Sequence, residues 1–179
     1  MKRILIGFLM IFLDFNLTLG ASKIGLIPDF IGYIVMRNGL LEMTEESPRF
    51  IKAKPFATFM AVYTGILYLV DLVGLSASLD ILSIILGIAS TIITLYISYN
   101  IVMGVKDMEA HYNTLLCGNS LKTTWTILAV CNIVSFVFIS VPTPTLATIC
   151  VIVSFIAGIY FLIVFNTSKN LYLDMKSRL

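Results

Sequence analysis

Residues 81–105 contain no charged side chain. A helix rises about 1.5 Å per residue, and the hydrocarbon core of a bilayer is about 30 Å thick. A run of this length therefore crosses that core with residues to spare, whereas a soluble helix of the same length needs a charged face. Five further apolar runs lie at 4–19, 28–43, 55–75, 122–141 and 145–166. The spacing predicts an all-α, polytopic membrane helix bundle with six transmembrane helices and a single domain over residues 1–179. The first two runs are short and predict a tight hairpin that barely crosses.

Composition agrees with this reading. The chain is 59% hydrophobic and 12% charged, whereas about a quarter of the residues in a soluble domain are charged. So little polar surface cannot clothe a water-soluble globule of 179 residues. The net charge of +2 lacks the basic stripe of a nucleic-acid binder, so no nucleic-acid partner is expected. The expected partner is the lipid bilayer, with a second copy or another membrane protein left open. Lys2 and Arg3 ahead of an apolar run resemble a signal peptide. Asp14 and Asn16 interrupt that run, and we read it as an uncleaved first span.

Orientation follows from the lysines and arginines, which are unfavourable to translocate. With six spans, Lys2, Arg3, Arg49, Lys52, Lys54, Lys106, Lys122, Lys169, Lys176 and Arg178 fall on one side, and Lys23 alone falls on the other. Arg37 lies inside a span. The basic side is expected to be cytoplasmic and to hold both termini.

Polar residues within or beside the spans are the candidates for function, because ionised groups in lipid are costly unless paired or wetted. Asp14 and Asn16 sit near the outer end of the first span, Asp29 opens the second, and Asp71 and Asp80 flank the next outer turn. Such a group of acids can concentrate cations at a pore mouth, and Asp14 with Asn16 offers oxygen ligands. Equally, each acid can simply mark a helix end. Asp14 is the exception, lying near the C-terminal end of its helix where the dipole disfavours a carboxylate. Arg37 has three readings: pairing within the bundle, attracting an anionic substrate, or snorkelling to the inner headgroups.

Other features set limits. Cys117, Cys131 and Cys150 fit no metal-ligand spacing, and His111 is the single histidine, so neither metal nor cofactor is expected. No HExxH, GxSxG, P-loop or dinucleotide turn occurs, so no catalytic residue is assigned and the chain is not expected to be an enzyme. Small residues at helical spacing predict close helix packing: Gly32 with Gly39, Ala57 with Ala61 and Gly65, Gly87 with Thr91, Thr94 and Ser98, and Ser154 with Gly158. Past residue 105 the fourth helix is expected to continue, with Ile101, Val105, Met108 and Tyr112 on one face. That face reads as a strip in the headgroups or a surface for a partner.

Leu13-Asp14-Phe15-Asn16, Leu26-Ile27-Pro28-Asp29-Phe30-Ile31-Gly32-Tyr33 and Lys52-Ala53-Lys54-Pro55-Phe56-Ala57 resemble a group of small uncharacterised multi-pass membrane proteins of Gram-positive bacteria. Gly104-Val105-Lys106-Asp107-Met108-Glu109 is a fainter echo. The resemblance covers about the first third of the chain and implies a membrane location without an activity. Two functions fit these residues. One is a small transporter or channel-like protein with a polar site near the outer ends of helices one and two. The other is a non-catalytic scaffold or accessory subunit that binds a partner through its helices and cytoplasmic loop.

Overall fold

A computed structural model describes residues 1–12, 16–19, 22–25, 28–72, 80–139 and 144–178. Six helices follow one another: α1 (Lys2–Phe12), α2 (Asp29–Glu42), α3 (Pro48–Leu72), α4 (Asp80–Tyr112), α5 (Gly118–Ile139) and α6 (Pro144–Lys176). Between α1 and α2 lies an antiparallel hairpin of β1 (Asn16–Leu19) and β2 (Ser22–Gly25), with Asn16 opposite Gly25 and Leu19 opposite Ser22. The prolines act as helix starters: Pro28 is the N-cap of α2, Pro48 opens α3 and Pro144 opens α6.

The helix expected over 4–19 is described as α1 from Lys2 to Phe12, and Asn16–Leu19 of the same run form β1 instead. Asn16-Leu17-Thr18-Leu19 alternates polar and apolar residues, a period-two pattern that suits a strand. Other helices run longer than their apolar stretches. α3 begins at Pro48, α4 reaches Tyr112, α5 begins at Gly118 and α6 reaches Lys176. All these extensions lie at the end of the bundle that carries most of the basic residues, called the basic end below.

Each helix packs on its neighbour in sequence, and α1 also packs on α6, which closes the six into a ring. Glycine allows the backbones of α1 and α2 to meet. A Cβ placed on Gly39 would lie 2.7 Å from the Ile4 backbone nitrogen, and one on Gly7 would lie 2.8 Å from the Gly32 carbonyl oxygen. On the other side α1 presents Phe8 to α6, with ring centroids 5.3 Å from Phe161 and 5.4 Å from Phe165, both near edge-on. Gly104 on α4 receives the Phe50 ring of α3. Not every small residue serves this purpose, since Gly87 faces open space.

Large apolar side chains pack between the described helices. Ile4, Phe8, Met36, Leu40, Phe50, Met60, Ile97, Ile101, Phe161 and Phe165 are all fully buried or nearly so. The outward faces are also apolar. Val62, Ile66 and Leu69 on α3, Ile85 and Ile92 on α4, and Phe155, Ile156 and Ile163 on α6 are each more than half exposed. Three helical stretches are long and apolar enough to cross a membrane: Pro48–Val70, Ile85–Tyr112 and Ile152–Lys176.

Candidate functional site

The densest polar cluster in the described residues is at the basic end, centred on Glu46 in the turn between α2 and α3. Its Oε2 accepts a hydrogen bond from the Tyr112 hydroxyl at 2.7 Å. Its Oε1 accepts one from the Tyr172 hydroxyl at 2.8 Å and pairs with the Lys176 ammonium at 3.0 Å. The carboxylate thus joins the α2–α3 turn to the last turns of α4 and α6, with its side chain only 10% exposed. Burial by itself pushes the Glu46 carboxyl up. The donors Tyr112, Lys176 and Tyr172, with the charge of Lys176, outweigh burial and hold it below its ordinary value near 4.5. An ionised carboxylate with three donors is a stable tie between helices.

Two further polar ties complete this end. The hydroxyl of Ser47 donates to Asp107 Oδ2 at 2.7 Å and accepts from the Arg49 backbone N–H at 3.2 Å, which caps the start of α3. Arg49 approaches the same carboxylate oxygen at 3.6 Å. Glu109 Oε1 accepts from the backbone N–H groups of Leu116 at 2.7 Å and Gly118 at 3.0 Å, fixing the turn into α5. That turn contains the left-handed residues Asn113 and Cys117, at φ 48° and 61°. The Ile101, Val105, Met108 face of α4 is fully buried inside the bundle. It is therefore no free surface for a partner or for headgroups. The N-terminal part of α3, through Phe50, Ala53 and Ala57, belongs to the same core and covers it.

The sequence-derived candidates belong to different elements. Asp14 lies outside the described residues. Asn16 sits in β1 and not in a helix, and Asp71 is in the last turn of α3, with neither side chain described. Asp29 occupies the first turn of α2, where the helix dipole favours a carboxylate, and it is partly buried. One turn further on, the Tyr33 hydroxyl is 2.7 Å from Thr94 Oγ1 of α4. Arg37 is a turn beyond Tyr33. Its Nη1 donates to the adjacent Asn38 side chain at 3.3 Å, and its buried Nε has no hydrogen-bond partner among the described residues.

Most other interior polar groups are satisfied by their own helix. Thr94 bonds the Ser90 carbonyl, Ser98 the Thr94 carbonyl, Asn100 the Tyr96 carbonyl and Thr124 the Ser120 carbonyl. Ser98 also accepts from the Trp125 indole N–H at 2.9 Å, tying α4 to α5. A cavity of about 300 Å³ opens where α1 ends, lined by Ile11, Phe12, Leu128, Asn132, Ser154 and Phe155 among others. The Asn132 amide bonds the Leu128 carbonyl at 2.8 Å, and Ser154 faces Ser135 at 3.3 Å. No group of three or more His, Cys, Asp or Glu able to hold a metal occurs among the described residues. No known protein family, curated protein or solved structure matches this chain.

Proposed function

We propose that this chain is a six-span integral membrane protein of the cell membrane, with its basic end and both termini in the cytoplasm. We read it as a non-catalytic scaffold or accessory subunit of a membrane assembly. Soluble monomers rarely expose apolar patches beyond a few hundred Å². The outward apolar residues on α3, α4 and α6 support lipid as their surroundings. On this reading α1 and α2 form a short hairpin wedged against α3 and α6, and the basic end projects into the cytoplasm.

The observation that carries the scaffold reading over transport is the packed interior. Phe8, Met36, Met60, Ile97 and Phe161 are buried between the described helices, and hydroxyls and amides such as those of Thr94 and Asn100 bond their own helices. A transporter with Asp14, Asn16 and Asp29 at an outer polar site is the rival. Cation flux in proteoliposomes decides between them. The scaffold reading expects flux equal to that of protein-free vesicles. A protein-dependent flux lowered by Asp29→Ala or Asp14→Ala, at matched incorporation, would establish the rival.

A further inference from the structure

Arg37 stands apart from the other basic residues. It lies inside α2, five residues before the helix ends at Glu42, or about 7 Å along the axis. A guanidinium carries five N–H donors in a planar fork. In this structure one makes a long bond to Asn38, the buried Nε makes none, and no carboxylate pairs with Arg37 among the described residues. Nη2 is not among the buried atoms and has no partner among the described residues, so the outer end of the fork fits an acceptor that the chain does not itself supply.

The level of Arg37 points to the nature of that acceptor. α2 and α4 run in the same direction and are joined by the Tyr33–Thr94 hydrogen bond. One turn further toward the basic end brings α2 to Arg37 and α4 to Ser98, and Ser98 holds the Trp125 indole. Tyr99 stacks obliquely on Trp125 with centroids 5.0 Å apart, and Tyr96 meets Phe56 of α3 at 4.6 Å. Trp and Tyr concentrate at the headgroup level of membranes. Arg37 therefore lies in the same layer as an aromatic belt, within reach of headgroup phosphates by way of its flexible stem.

We infer that Arg37 is a phosphate site, filled by the headgroup of a phospholipid from the leaflet at the basic end. The planar fork matches two phosphate oxygens end-on, through its two Nη nitrogens, a geometry that a lysine cannot reproduce. A bound lipid there would seat its acyl chains against the apolar outer faces of α2 and α3, where Ile34 and Phe59 are exposed. The inference rests on the membrane reading above.

The test is native mass spectrometry of the full chain, extracted in mild detergent and titrated with phosphatidylglycerol or with diacylglycerol of the same acyl chains. The expected result is retention of phosphatidylglycerol at least tenfold above diacylglycerol, lost in Arg37→Gln, weakened in Arg37→Lys and kept in the exposed-site variant Lys52→Gln. The comparison of the two lipids needs only the native protein, so it holds even if Arg37→Gln fails to fold. Equal retention of both lipids, or full retention by a folded Arg37→Gln, would overturn the site. Displacement of the lipid by millimolar inorganic phosphate would reassign it to a free anion. Recovery of the chain as a soluble monomer without detergent would instead refute the membrane reading itself.

Discussion

Replacing Glu46 by alanine removes the acceptor on which three helical segments converge. The Tyr172 residue is 7% exposed, so its hydroxyl cannot easily find water once the carboxylate is gone. A buried donor left unmatched costs about 1–3 kcal/mol. Tyr112 is only partly buried and rehydrates, and the Lys176 side chain is 44% exposed, so their losses add little. Glu46→Ala should therefore destabilise the bundle by about 2 kcal/mol, nearly all through Tyr172. Glu46→Gln should cost about half as much, because its amide oxygen still accepts from Tyr172 while its NH₂ donates to the Tyr112 oxygen. The assay is equilibrium unfolding by SDS titrated into mild detergent micelles, followed by the fluorescence of Trp125, the single tryptophan. A double-mutant cycle between Glu46→Ala and Tyr172→Phe should return a coupling of about 1 kcal/mol. A cost for Glu46→Ala below about 0.5 kcal/mol, or a coupling within error of zero, would refute this account of the basic end.

The same carboxylate gives a pH dependence. Its folded-state pKa is lowered, so the stability it contributes is present above the ordinary value near 4.5 and is lost as pH falls through the lower folded value. SDS unfolding should show the native protein losing stability in that acid range, and Glu46→Gln should lose less over the same interval. Gly39→Ala should cost about 1–3 kcal/mol, since its Cβ would press on the Ile4 backbone, whereas Gly87→Ala meets nothing within 4 Å and should be neutral or mildly stabilising. Comparing the two by thermal inactivation in detergent separates packing from helix propensity, and equal effects would contradict the glycine contact. Glu109→Ala should release the turn into α5 and raise hydrogen exchange at Leu116 and Gly118, while the amides of α3 stay protected.

Hydropathy located the helices because the six apolar runs are separated by turn residues, and the basic residues followed the same alternation. It set several boundaries badly. A window that averages over residues 4–19 cannot register that Asn16 and Thr18 alternate with Leu17 and Leu19, the period-two pattern that suits β1. Nor does it follow α6 past Asn166 or α3 back to Pro48, where one face is charged and the other apolar, whereas the spacing of Ile101, Val105, Met108 and Tyr112 carried α4 to Tyr112. The Ile101–Val105–Met108 stripe was legible as a single face, but its burial depends on Phe50 and Ala53, which spacing within α4 does not encode. Glu46 is harder still. Its partners lie 66 and 126 positions away, and in isolation it is one acid in an ordinary polar turn. Arg37 was legible as an anomaly from its charge alone, whereas its level beside Trp125 needed the Tyr33–Thr94 and Ser98–Trp125 bonds.

The account depends most on lipid surrounding the apolar faces, with the basic end inside the cell. Single cysteines placed at Glu45 or Asn113 for the basic end, and at Ser76 or Thr143 for the opposite side, test this when Cys117, Cys131 and Cys150 are replaced by serine. In intact cells a membrane-impermeant maleimide should label Ser76→Cys and Thr143→Cys at once, and Glu45→Cys and Asn113→Cys only after permeabilisation. Labelling of all four positions from the same side, or of the basic end from outside, would contradict it.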